Sequence, residues 1–229
     1  MTAAAGIAAA GGKAWVHIYS TFLQRAMDQV IHYIALQELP VIFLVDRAGF
    51  VGSDGPTHHG VFDLGFLLDI PNVTVWNPMD GSELQAMLRK ASEIQPELRG
   101  PLFIRYPKAR TSCDSPVDFM EYRFLKKGHS NTLLLSSGVL SSFAKEEAMD
   151  HAHLGQVKPL PADVKRMLGQ YQTIVILEES MGTGGLSGAV AMEIAHSDLD
   201  IKLVVRKIND VFTEHGSRHE LLKATGLLP

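Results

Sequence analysis

Residues Val41–Asp46 read VIFLVD, five apolar side chains in succession closed by one carboxylate. A strand in which neighbouring side chains are all apolar is buried on both faces, and such strands belong to parallel sheets covered by helices. The same pattern recurs along the chain. Strands are expected at 14–19, 41–46, 73–76 and 102–106, then at 132–136, 173–177 and 201–205. Helices are expected at 21–36, 80–93, 161–168, 185–196 and 217–223, with Ser20 placed to cap the first and Pro40 to end it. Segment 107–127 breaks the periodicity and reads as a linker. The expectation is therefore an α/β protein with two three-layer α/β/α domains and mostly parallel sheets, at 1–117 and 118–229.

Composition removes other classes. With 46% hydrophobic and 20% charged residues over 229 positions, the chain can bury a core. Its net charge of −4 excludes neither fold nor solubility, but it argues against general nucleic-acid binding. No run of about 18 apolar residues exists, so no membrane partner is expected. A single cysteine, Cys113, and an Ala/Gly-rich start without a basic, apolar leader predict a cytoplasmic protein.

The loop Arg47-Ala-Gly-Phe-Val-Gly-Ser-Asp-Gly-Pro-Thr-His-His-Gly60 follows the C-terminal end of the buried strand, where open α/β sheets place ligands. It gathers Arg47, Asp54, His58 and His59. Arg suits phosphate or carboxylate, and His moves protons near neutrality. The plain alternative is a polar surface loop. At Tyr19-Ser-Thr-Phe-Leu-Gln-Arg25, an aromatic and a cation share a helical face and could hold a planar anion, or Phe22 could be core. Arg105-Tyr-Pro-Lys108 brings two cations to a strand end, either an anion contact or a solvated terminus. The turn Met181–Gly188 misses the strict G-x-G-x-x-G spacing and reads as tight helix–strand packing. Glu178 and Glu179 read as a solvated strand end, and His151 and His153 as surface residues. Two adjacent histidines without a third ligand give no metal site.

The runs Tyr19–Val30, Asp46–Gly49, Gly52–Gly60 and Arg105–Lys108 together resemble the 1-deoxy-D-xylulose-5-phosphate synthases of the transketolase-like, thiamine-diphosphate-dependent family. In the second half, Val157–Leu160, Glu178-Glu179 and His215–Ser217 followed by Leu221-Leu222 fit the same resemblance. The resemblance implies a pyrimidine-binding domain followed by a transketolase C-terminal-like domain. It implies a transferase that joins pyruvate to glyceraldehyde 3-phosphate with loss of carbon dioxide, on the isoprenoid and thiamine precursor route.

Position by position, it implies that Phe22, Tyr19 and Arg25 contact the cofactor's pyrimidine end. Arg47, Arg105 and Tyr19 would bind substrate, with the two arginines on the phosphate. Asp54 and His58 would be catalytic, and His59 is left without a role. The family's diphosphate motif, Gly-Asp-Gly followed by Asn, does not occur, and no Glu precedes Glu38. The expectation is a chain inactive alone. It would form homodimers and need a partner carrying the diphosphate-binding domain, which would bring Mg2+ and the glutamate that activates thiamine diphosphate. The alternatives are a non-catalytic or regulatory relative, or the pyrimidine-domain subunit of a split transketolase or 2-oxoacid dehydrogenase.

Overall fold

A computed structural model describes residues 1–111, 113, 115–144 and 148–228. Within the expected linker, Ser112 and Asp114 lie outside the described residues. The strands are β1 (Ala14–Tyr19), β2 (Val41–Asp46), β3 (Thr74–Trp76), β4 (Leu102–Tyr106), β5 (Tyr122–Lys126), β6 (Thr132–Ser137), β7 (Asp150–Leu154), β8 (Gln156–Lys158), β9 (Thr173–Leu177) and β10 (Lys202–Arg206). They form two five-stranded sheets, ordered β1-β2-β4-β3-β8 and β10-β9-β6-β7-β5. Each sheet is parallel except for one antiparallel edge strand, β8 in the first and β5 in the second. The α/β class with mostly parallel sheets is thus observed.

Alternation along β2 shows the layering. Val41, Phe43 and Val45 enter one apolar cluster, with Leu23, Ile34 and Leu67. Ile42 and Leu44 enter another, with Met87, Ala91 and Ile104. Helices therefore cover both faces, as a strand apolar at every position requires. Phe43 and Phe103 are fully buried and stack at 4.5 Å between ring centroids. Each such ring contributes about 1.5–3 kcal/mol by burial. The second sheet divides likewise, with Leu133 and Leu135 on one side and Leu134 on the other.

Three differences from the sequence expectation matter. Residues 20–35 are not one helix. An α-helical turn Ser20–Leu23 passes into a 3₁₀ turn Gln24–Ala26, then Met27–Gln29 and a π-helical stretch Val30–Ala35. The break falls at Ala26, whose φ of −108° and ψ of 6° leave the helical region. Strand β5 lies inside the expected linker, and β7 and β8 occupy a segment expected to hold no strand. Finally, β8 follows β7 in sequence yet completes the first sheet by pairing with β3, so the halves share a sheet edge.

His151 and His153 are not surface residues but sit in β7, buried to 6% and 0% exposure. Side-chain partners satisfy them. Ser136 Oγ lies 2.7 Å from His151 Nε2 and 2.8 Å from Ser141 Oγ, which lies 2.8 Å from His153 Nδ1. His153 Nε2 meets Glu83 Oε2 at 2.9 Å. Glu83 belongs to the helix Gly81–Ile94 of the first half, capped by the Asp80 carboxylate. This polar chain therefore ties the two halves together. Burial drives the His151 pKa down to about 4, with the neighbouring His153 acting in the same direction.

Glu178 and Glu179 are also buried rather than solvated, at 2% and 8% exposure. Glu178 accepts from the backbone N–H groups of Leu186 at 2.8 Å and Ser187 at 3.2 Å, at the start of the helix Leu186–His196. The protein's own carboxylate fills the place a phosphate would take at that helix N-terminus. Gly184 packs so closely on Gly65 that an added Cβ would lie 2.7 Å from its Cα. Both observations agree with a turn built for packing.

Candidate active site at the edge of the first sheet

Strands β1, β2 and β4 are adjacent and parallel, and their registers place Tyr19 beside Asp46 and Asp46 beside Tyr106. The segments that follow all emerge at one carboxyl edge. They carry Phe22 and Arg25, then Arg47 to Gly60, then Lys108. This edge is where parallel α/β sheets hold ligands.

The aromatic part is compact. Tyr19 and Phe22 stack with centroids 5.2 Å apart, and Phe22 meets His58 edge-on at 5.8 Å. The Arg47 guanidinium lies over the Tyr19 ring at 3.7 Å from its centroid, and it also pairs with Asp46. Arg47 takes φ +61°, a left-handed conformation costly for a side-chain-bearing residue. The backbone around it is locked. Gly49 and Gly60 exchange N–H···O bonds at 2.7 and 2.8 Å, and a Cβ on Gly60 would strike the Arg47 carbonyl at 2.2 Å.

Phe22 is 44% exposed, an open aromatic face beside cations. Next to it, the buried Thr21 hydroxyl finds no hydrogen-bond partner among the described residues. An open ring, an unmet hydroxyl and nearby cations fit a planar heterocycle better than they fit core packing. Arg25 is exposed on the adjacent 3₁₀ turn and has no ion-pair partner among the described residues.

Asp54 and His58 sit on the same loop, both half-buried. Lys108 donates to Asp54 at 2.7 Å, and that bond, with the charges of Lys108, His58 and Arg47, holds the Asp54 carboxyl below its usual range. Thr57 Oγ1 lies 2.9 Å from His58 Nδ1. His59 has a structural part. Its Nδ1 accepts from Val51 N at 3.2 Å and its Nε2 faces the Glu214 carbonyl at 3.3 Å. Burial lowers its pKa, which suits a neutral ring bridging two loops.

Arg105 stands apart from the other cations. It is 4% exposed and gives two hydrogen bonds to the buried Asp63, Nε to Oδ2 at 3.1 Å and Nη2 to Oδ1 at 3.0 Å. Its charge is buried and paired, while Arg47 is partly exposed and Lys108 is open to solvent. Asp63 has no place in the sequence reading; its only signal is an acid opening a short helix just past the loop. Glu179 likewise shows nothing in sequence of its part as a loop anchor. It accepts from Phe50 N at 2.7 Å and pairs with Arg218, so the second half braces the loop of the first. Among the described residues, no three His, Cys, Asp or Glu side chains cluster as metal ligands, and no helix is long and apolar enough to cross a membrane.

Residues 1–112 match the family described as transketolase, pyrimidine binding domain. Over 99% of its length the chain is similar to 1-deoxy-D-xylulose-5-phosphate synthases. It is 39% identical to one from Thermus thermophilus and 40% identical to one from Chlorobium phaeovibrioides. It spans only 38% of the length of each. Among solved structures it resembles a split-gene transketolase described as an inactive beta4 tetramer, with a TM-score of 0.84 and 25% identity, covering 99% of this chain and 76% of that one. The fold also matches the transketolase of Campylobacter jejuni, with a TM-score of 0.75 at 18% identity, covering 98% of this chain and 35% of that one.

Proposed function

We propose that this chain, whose residues 1–112 match the transketolase pyrimidine binding domain and which is similar over 99% of its length to 1-deoxy-D-xylulose-5-phosphate synthases, forms the pyrimidine-side and substrate-side half of such a thiamine-diphosphate-dependent active site. The reaction proposed is condensation of pyruvate with glyceraldehyde 3-phosphate, with release of carbon dioxide. The observation that carries the reading is the half-exposed Phe22 ring, held against Tyr19 and His58 at the sheet edge.

When bound, thiamine diphosphate supplies a nucleophilic carbon and an electron sink for cleaving a bond beside a ketone. The chain's own residues do the rest. Phe22 offers its face to the aminopyrimidine, with Tyr19 and Arg25 lining the same pocket. Arg47 binds the substrate phosphate, and Arg105, paired with Asp63, holds the base of the site in place. Asp54 and His58 contact substrate hydroxyl and carbonyl groups, and His58 moves a proton there. The diphosphate, its Mg2+ and the activating glutamate are assigned to protein outside these 229 residues, in the same polypeptide or in a partner. The chain alone is then inactive, and the working assembly is an oligomer in which the segment 21–36 contributes to self-association.

The test pairs the chain with a diphosphate-binding domain from a related synthase and measures carbon dioxide released from pyruvate, with and without glyceraldehyde 3-phosphate. Turnover only in the mixture, lost in Phe22→Ala, supports the reading. A pair that transfers ketol groups between sugar phosphates but ignores pyruvate favours a split transketolase, the second reading that the structural likeness to the split-gene enzyme supports. A pair that binds cofactor yet turns over nothing makes the chain a non-catalytic relative.

A further inference from the structure

The loop Arg47–Gly60 carries Asp54 and His58, and its helical structure is the 3₁₀ turn Gly52–Asp54. Gly49 and Gly52 take φ of +82° and +76°. A loop with such glycines has little stiffness of its own, so its shape depends on what holds it from outside.

Three holds come from the second half of the chain. Glu179, two residues beyond β9, accepts from Phe50 N at 2.7 Å and pairs with Arg218, which begins the helix Arg218–Ala224. Gly216 N donates to Gly52 O at 3.4 Å. His59 Nδ1 accepts from Val51 N, so the proton of the neutral ring belongs on Nε2, which faces the Glu214 carbonyl at 3.3 Å. The glycines make room for these partners. A Cβ on Gly49 would collide with the Glu179 carboxylate, and one on Gly52 would lie 3.2 Å from the Gly216 carbonyl oxygen. Each site residue adjoins a held one: Asp54 lies two residues past Gly52, and His58 is next to His59. Of the three holds the Glu179 carboxylate is the strongest, because it is buried, charged and bonded to both the loop backbone and Arg218.

We propose that Glu179, together with Arg218, is a positioning residue for Asp54 and His58. It meets no substrate and acts through the backbone of residues 49–59. The second half, and not the first sheet alone, then sets where these two side chains stand. Their part at the site is the one proposed above, on which the functional meaning of this inference rests; the positioning itself is measurable without substrate. A Glu179 that only stabilised the fold would affect every element alike, whereas a positioning one governs the loop ahead of the sheet.

The experiment uses the 229-residue chain. Hydrogen exchange compares the amides of His58, His59 and Gly60, which bond the carbonyls of Gly55 and Gly49, with the amides of β2. Carboxyl carbon NMR follows the titration midpoint of Asp54, which the Lys108 hydrogen bond holds below the usual range while the loop keeps the two together. Glu179→Ala is expected to speed exchange in the loop about tenfold or more beyond any change in β2, the opening expected when one charge-assisted hydrogen bond is lost. The Asp54 midpoint should rise toward that of a free carboxylate. Should that variant fail to fold, Glu179→Leu with Arg218→Leu removes the tether without stranding a charge, and should give the same two signatures. Arg166→Met, which breaks an exposed ion pair in the second half, should change neither. In the mixed-domain assembly kcat should fall about tenfold or more with the loosened loop, while thiamine diphosphate affinity changes by less. Equal acceleration in the loop and β2, an unmoved Asp54 midpoint, or a loosened loop with unaltered kcat overturns the positioning role. A wild-type assembly that turns over nothing fells the synthase reading instead, and exchange and titration still decide the positioning.

Discussion

Asp63 holds Arg105 with two near-parallel hydrogen bonds, at 3.1 and 3.0 Å, where neither side chain is more than 5% exposed. Arg105 belongs to β4, and Asp63 begins the short helix Asp63–Leu67. The pair fixes the chain just after the Arg47–Gly60 loop against the strand beside it. The cations of the site are therefore built on a rigid base.

Removing one member leaves the other charged and buried. Asp63→Leu or Arg105→Leu alone should destabilise the protein by about 3–5 kcal/mol. The double variant Asp63→Leu with Arg105→Leu should lose less than either single change. Urea unfolding of the four proteins measures the coupling, and additive losses would show that the pair does not act as a unit.

The loop permits no side chain at position 60. A Cβ there would meet the Arg47 carbonyl at 2.2 Å and the Ser20 side chain at 2.6 Å. Gly60→Ala must push apart the segments after β1 and β2, at a cost of about 1–3 kcal/mol. Because both carry site residues, cofactor affinity in the mixed-domain assembly should fall with stability. A stable variant with unaltered affinity would count against this geometry.

His151 confers acid sensitivity. Its folded-state pKa of about 4 lies below the ordinary 6.5 because burial disfavours its charged form. Below pH 6.5 the unfolded chain therefore binds a proton that the folded chain refuses. Stability is full above that pH and declines as pH falls toward 4, by on the order of 3 kcal/mol in all. His151→Gln should flatten this part of the profile, whatever it costs at pH 7. Unfolding free energies at pH 7 and pH 4.5 for both proteins decide it; parallel profiles would place the acid sensitivity elsewhere.

Phe22 gains little from the fold, since its ring is 44% exposed. Phe22→Ala should change stability by less than about 1 kcal/mol, because the transfer term scales with area removed from water. The same change should weaken thiamine diphosphate binding in the mixed assembly about tenfold, the loss expected of one aromatic stack. A large stability loss with unchanged binding would make the ring a packing element.

The framework was legible because it rests on short-range patterning. Strands β1, β2, β4 and β9 lie at the residues where apolar runs place them, since such runs can only be satisfied inside a covered sheet. The helices Gly81–Ile94 and Arg218–Ala224 begin one residue after the starts expected at 80 and 217, where Asp80 and Ser217 are found to cap them. Strand β7 was hidden because its sequence, Asp-His-Ala-His-Leu, looks solvated. Only partners distant in sequence, Ser136, Ser141 and Glu83, make its histidines tolerable inside. Glu178 and Glu179 misled in the same way.

The sequence by itself determined the α/β class, the carboxyl-edge position of the Arg47–Gly60 loop and the types of side chain gathered there. Those follow from periodicity and from groups within a few residues of one another. Only the tertiary structure decided which charges are free to meet a ligand. Arg105 and Arg47 are alike as letters, but one is buried against Asp63 and the other, paired with its neighbour Asp46, lies partly exposed across Tyr19. Burial and pairing are properties of what the folded chain brings from elsewhere, and no local pattern encodes them.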